Sequence, residues 1–114
     1  MIQDKEAIRQ AVYEIVRTIP YGRATSYGAI ARAIGYPNMS RLVGKIMASC
    51  ESNTNDIPAH RVVNSQGILS GKEAFGSAGE MQQLLEAEGI AVANKNRIQA
   101  WKTVFWNPIE EITL

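Results

Sequence analysis

Residues 26–49 read SYGAIARAIGYPNMSRLVGKIMAS. Ser26 has the chemistry of an N-cap, a hydroxyl that accepts from the free amides of a first helical turn. Ile30, Ala33 and Ile34 then fall on one helical face, expected to point inward. Gly35 stands at the C′ position, where the backbone turns left-handed and glycine is favoured. Pro37 and Asn38 open a further helix, about Met39 to Ser49, with Leu42, Val43, Ile46 and Met47 as its apolar stripe. Two short helices joined by a glycine-containing turn predict a helix-turn-helix over residues 26–49. The opposite face of the second helix carries Ser40, Arg41, Gly44, Lys45 and Ala48. Gly44 and Ala48 are small enough for that helix to lie close against a nucleic acid groove. Arg41 falls in the first turn, where the helix dipole mildly opposes a cation, so reach rather than helix stability explains it. The competing account is an ordinary helical hairpin with a small-residue packing face.

Upstream, Asp4 is an N-cap candidate, and Ile8, Ala11, Val12, Ile15 and Ile19 follow at helical spacing. Pro20 and the pair Tyr21-Gly22 end that helix. Downstream, residues 57–63 (IPAHRVV) predict a buried segment running into a short strand. Asn64 to Gly67 is turn chemistry, after which Ile68 and Leu69 are expected to pair back. A helix from about Gly79 to Glu88 presents Met81, Leu84, Leu85 and Ala87, and Gly89 ends it. The tail has strand-like pieces at Ala91-Val92 and Arg97 to Phe105, joined across Asn94, Lys95 and Asn96. Trp101, Phe105 and Trp106 are expected to cover the core. The fold class that follows is mainly α with short strands, resembling a winged helix-turn-helix.

The 114 residues suffice for one domain, expected to span 1–114, and 46% hydrophobic residues support a packed core. One Cys and one His exclude a disulfide framework and a multi-cysteine zinc site, so neither metal nor cofactor is expected. No apolar run reaches the length of a membrane span. The charged residues 1–6 lack a signal region, which sets a cytoplasmic expectation. Twelve Lys and Arg against eleven acids leave a net charge of +1, too little for binding by bulk charge. The charges are segregated, however. Pro20 to Cys50 holds Arg23, Arg32, Arg41 and Lys45 with no acid, and Ile57 to Lys72 holds His60, Arg61 and Lys72 with none. One basic face on a neutral domain suits phosphates.

Residues 58–63 (PAHRVV) set His and Arg side by side in an apolar frame. A lone His there is most often structural, and a base would need a nucleophile in reach; its neighbour Ala59 has none. With IPYGRATSYGAIARAIG at 19–35, SRLVGKIMAS at 40–49, IPAHRVVNSQGILSG at 57–71 and LLEAEG at 84–89, the chain resembles the C-terminal domain of O6-alkylguanine-DNA alkyltransferases from about Ile8 to Gly89. The family pattern is Pro-Cys-His-Arg-Val, whose Cys takes the alkyl group from guanine O6. Here that position is Ala59. The departure is the mark of the alkyltransferase-like proteins, many of which carry Trp there. Displacement onto the protein needs a thiolate, and a methyl side chain cannot accept an alkyl group.

The resemblance implies a role for each matching position. Arg41 would be the finger that fills the hole left by an extruded guanine. Tyr27 would crowd the 3′ phosphate and help rotate the nucleotide out. Ser40, Gly44, Lys45 and Ala48 would lie along the minor groove. Pro58, Ala59, Val62 and the Ser70-Gly71-Lys72 loop would line the lesion pocket. His60, the thiol's water-mediated base in the enzymes, and Glu88, which orients it, would remain with Arg61 as a hydrogen-bond scaffold. Many alkyltransferase-like proteins probe the modified base with an Arg near the Lys72 position. Whether Lys72 is its counterpart turns on how the loop aligns, and an ammonium there would stack less well.

The implied function is non-enzymatic. The protein would bind double-stranded DNA as a monomer, flip O6-alkylguanine into a pocket, and direct the lesion to nucleotide excision repair through a damage-recognition ATPase of the UvrA type. Three rivals are an alkyltransferase using Cys50, a winged-helix transcription regulator reading sequence, and a plain protein-interaction module, which leaves the coincidence of Tyr27, Arg41 and the Pro58–Val63 motif unexplained. The small residues of the second helix speak against the regulator, since base readout favours Asn, Gln or Arg there. Cys50 lies outside the nucleophile context and reads as a small hydrophobe.

Overall fold

The computed structural model describes residues 5–48, 57–69, 79–93 and 96–111. Helix α1 runs Lys5–Thr18 and presents Ile8, Val12 and Val16 to the core, with Ile19 just beyond its end. Ala11 and Ile15 are only half-buried. The inner stripe is therefore rotated from the expected one toward Val16.

Strand β1, Thr25–Ser26, feeds directly into α2, Tyr27–Ala33. Ser26 caps it as the sequence predicts, its Oγ accepting from the Ala29 amide at 3.1 Å. At the other end Gly35 takes φ +91°. Its amide donates to the Arg32 carbonyl at 3.1 Å and the Tyr36 amide donates to Ala31 at 2.9 Å, which is a Schellman closure. Ile30 is fully buried, but so are Ala29 and Ala31, while Ala33 and Ile34 are half-buried. Two alanines inward let α2 sit close to its neighbours.

Helix α3 spans Ser40–Ala48, and Val43, Ile46 and Met47 are its buried residues. Leu42 is half-buried, and Met39 precedes the helix with 40% exposure. Helices α2 and α3 pack on each other as a helix-turn-helix.

A single 3₁₀ turn at Ala59–Arg61 leads into β2, Val62–Val63. β2 pairs with β1 in parallel, Thr25 facing Val62 and Ser26 facing Val63. The expected return of Ile68 and Leu69 onto β2 is reduced to one bond, from the Asn64 amide to the Ile68 carbonyl at 3.0 Å. Ile68 instead bridges Arg97, and the Leu69 amide reaches the Asn96 carbonyl at 2.8 Å. The tail hairpin competes successfully for that edge.

Helix α4, Glu80–Ala87, buries Met81 and Leu85 only; Leu84 and Ala87 face solvent. Gly89 closes it at φ +84°, with Ile90 donating back to Leu85 at 3.1 Å. Strands β3, Val92–Ala93, and β4, Arg97–Ile98, form the expected antiparallel hairpin. The strand does not continue to Phe105. Residues Trp101–Val104 form helix α5 after Ala100 turns left-handed at φ +54°. Phe105 then bridges Ala24, and α6 spans Pro108–Glu111. Trp106 is buried, while Trp101 and Phe105 are half-buried and pack at 5.3 Å between ring centroids. No helix among the described residues is long and apolar enough to cross a membrane.

Candidate nucleic-acid interface

Parallel pairing of β1 with β2 sends both chains out of the same end of the ladder. Tyr27 follows Ser26 and Asn64 follows Val63, so the start of α2 and the Asn64 turn emerge side by side. Between them and α3 lies a cleft of about 430 Å³. Tyr27, Ser40, Arg41 and Gly44 line it. Gly28, Arg32, Pro37, Asn64 and Ser65 line it too, and among the described residues no lining residue is acidic. Arg41 is exposed and has no protein acceptor among the described residues. Lys45 and Ala48 are exposed further along α3, outside that lining.

The cleft's far wall is braced from the tail. Asn64 Oδ1 accepts from the amides of Gln66 at 2.8 Å and Ile68 at 2.9 Å, fixing the turn. Trp101 Nε1 donates to the Ser65 carbonyl at 3.2 Å. Gly67 makes this approach possible, because a Cβ there would stand 2.9 Å from Trp101 Cδ2.

The Pro58–Val62 segment forms a separate, tighter assembly. Pro58, at φ −79° and ψ 71°, is the centre of an inverse γ-turn closed by the Ala59 amide on the Ile57 carbonyl at 2.8 Å. Ala59 is buried at 6% exposure and Val62 is in the core. His60 Nε2 lies 2.6 Å from Glu88 Oε2. A carboxylate only accepts, so Nε2 carries the proton, and in the neutral ring Nδ1 is left as an acceptor. Arg61 grips the same carboxylate, Nε at 3.0 and 2.9 Å and Nη2 at 2.8 Å, and gives Nη1 to the Ile19 carbonyl at 2.8 Å. The Gly22 amide donates to Glu88 Oε1 at 2.8 Å. Tyr21 spans the top, its hydroxyl on the Ala87 carbonyl at 2.9 Å and its ring 5.9 Å from the Arg61 guanidinium. Burial by itself would raise the Glu88 pKa; hydrogen bonds from Arg61, His60 and Gly22 outweigh it and hold the carboxyl below its ordinary value.

His60, Arg61 and Glu88 are thus brought together, and all three are absent from the cleft lining. Ser70 and Lys72 lie outside the described residues, as does Cys50. Among the described residues no group of His, Cys, Asp and Glu is placed to hold a metal ion. Gly28, Arg32, Pro37, Asn64 and Ser65 are the described cleft residues that sequence reasoning passed over. Asn64 and Ser65 carry only a turn signal, and Arg32 stands out only as one of the cations in the acid-free stretch.

Residues 7–90 match the family model of the 6-O-methylguanine DNA methyltransferase DNA-binding domain. The chain belongs to this family. Within the 6-O-methylguanine DNA methyltransferase family it is 43% identical over 83 residues to alkyltransferase-like protein 1 of Schizosaccharomyces pombe, covering 71% of this chain and 74% of the relative. It is 36% identical over 97 residues to a DNA base-flipping protein of Vibrio parahaemolyticus, covering 85% and 93%. The fold matches the crystal structure of S. pombe Atl1 in complex with damaged DNA containing O6-carboxymethylguanine with a TM-score of 0.77 at 33% identity, over 91% of this chain and 98% of that one. It also matches Mycobacterium tuberculosis OGT in complex with DNA, with a TM-score of 0.61 at 32% identity, over 90% and 57%.

Proposed function

We propose that this chain is a non-enzymatic reader of O6-alkylguanine in double-stranded DNA. The observation that carries the reading is Ala59, a methyl group in a segment whose His60, Arg61 and Glu88 are fully assembled. The scaffold is present and its neighbour Ala59 offers no nucleophile, so a flipped base would be held rather than dealkylated. The cleft with Tyr27 and Arg41, whose described lining residues include no acid, supports DNA as the ligand. In this reading Arg41 fills the vacated stack and Tyr27 meets the backbone, while Ser40, Gly44, Lys45 and Ala48 follow the groove. Pro58, Ala59 and Val62, with Ser70 and Lys72, receive the base. The protein acts as a monomer in the cytoplasm and passes the lesion to nucleotide excision repair, through a partner of the UvrA type.

The test is a titration of duplexes that differ only at one guanine O6, followed by mass spectrometry of the protein. Tighter binding to the modified duplex with no gain of a methyl group is the expected result. A stoichiometric methyl adduct would convert the reading to an alkyltransferase, with Cys50 its site. Strong sequence preference on unmodified DNA would favour a transcription regulator instead.

A further inference from the structure

The acid-free stretch Pro20 to Cys50 carries Arg23, Arg32, Arg41 and Lys45, and the fold disposes of these cations differently. Arg23 donates to the carbonyls of Val104 from Nε at 2.9 Å and of Phe105 from Nη2 at 2.5 Å, so it anchors the tail. Arg32 has no carboxylate or carbonyl acceptor among the described residues. It is exposed, yet it lines the cleft together with Tyr27 and Arg41.

A cation in the last turn of α2 is favoured by the helix dipole, which is the plainest reason for an Arg there. The side chain does not point that way. Arg32 Nη1 lies 3.7 Å from the position a Cβ on Gly28 would occupy. The guanidinium is therefore laid back one turn, the direction in which helical side chains lean, and away from the terminal carbonyls. Gly28, with no side chain, leaves this strip of helix surface to it. Two guanidinium groups in one concave surface, with no acidic counter-charge among its described lining residues, raise the local potential for an anion. Their planar donor forks suit phosphate oxygens.

We infer that Arg32 binds a DNA backbone phosphate, gripping the duplex from the α2 side without reading the lesion. This rests on the DNA-binding reading above. Arg32 contributes affinity and register, and Arg41 contributes discrimination.

Arg32→Gln and Arg32→Lys, compared with the unaltered protein, are titrated with duplexes containing guanine or O6-methylguanine between about 50 and about 200 mM salt. Loss of one phosphate contact lowers the magnitude of the salt slope by about one. The Arg32→Gln deficit then shrinks about threefold to fourfold across that range, equally for both duplexes, and the ratio between duplexes stays unchanged. Arg32→Lys keeps the slope. An unchanged slope in Arg32→Gln, or a loss confined to the modified duplex, overturns the inference. If the unaltered protein binds both duplexes alike, the lesion-reading function fails while the slope still decides the role of Arg32. Absence of duplex binding sinks both.

Discussion

Glu88 Oε2 sits 2.6 Å from His60 Nε2, although 28 positions separate the two residues. The same carboxylate holds Arg61 and the Gly22 amide. Three chain segments are pinned at one acceptor: the turn after α1, the 3₁₀ turn before β2, and the end of α4. The cluster is nearly dry, with side-chain exposures of 6% for Glu88, 13% for His60 and 16% for Arg61. Removing the acceptor strips the half-buried Arg61 guanidinium of its carboxylate partner. Glu88→Ala is expected to cost about 3 kcal/mol in urea unfolding, the range for breaking one partner of a buried ion pair. A loss below about 1 kcal/mol would mean that water replaces the carboxylate with little penalty.

The same residue sets an acid limit. Its folded pKa is lowered, so folding favours the ionised form. That stabilisation is fully present above the carboxyl's unfolded value of about 4.3 and disappears as pH falls through the lower folded value. Midpoints of unfolding for the unaltered protein should therefore fall between about pH 5 and the acid limit. Glu88→Gln should flatten this limb, and an identical acid profile in that variant would place the dependence elsewhere.

Arg41→Ala should weaken binding to the modified duplex by about 1–3 kcal/mol, the range for losing one stacking contact with a base. Binding to the unmodified duplex should change less. Fluorescence titration at one fixed salt concentration measures both. Equal losses on the two duplexes would reduce Arg41 to a phosphate contact.

Ala59 is smaller than the Cys or Trp that the related pattern carries, so bulky O6 substituents should be accepted along with methyl. Competition between duplexes carrying O6-methylguanine and O6-benzylguanine measures this. A preference for methyl alone would show that other residues close the pocket.

Gly67→Ala should destabilise the fold by about 1–3 kcal/mol, since a left-handed backbone and a clash with an aromatic ring coincide there. Gly67 has φ +80°, and the clash is with Trp101. Because the Asn64–Gly67 turn walls the cleft, DNA affinity should fall with it. Thermal melting alongside duplex titration separates the two effects, and a stable variant with full affinity would show that the turn shifts freely.

Helices α1 to α4 and their stops were legible in the residues alone. Capping at Ser26, closure at Gly35 and Gly89, and the apolar periods of α1 and α3 are local, and a local pattern survives any tertiary context that does not oppose it. So was the motif from Pro58 to Val63, whose unusual neighbours mark it without coordinates. The pairing of β1 with β2 was not. β1 and β2 are two residues each and fully buried, too short to show a period of two, and their parallel pairing joins Thr25 to Val62 across the chain. Only packing could put Asn64 beside Tyr27 and bring Gly22, His60 and Arg61 to the Glu88 carboxylate, because nothing within a few residues of Glu88 or of Tyr27 encodes these partners. The tail shows the same division. Arg97 to Phe105 has strand-like composition, but Ala100 turns left-handed and Trp101 is claimed by Gly67 and Ser65, so contacts distant in sequence override the local preference.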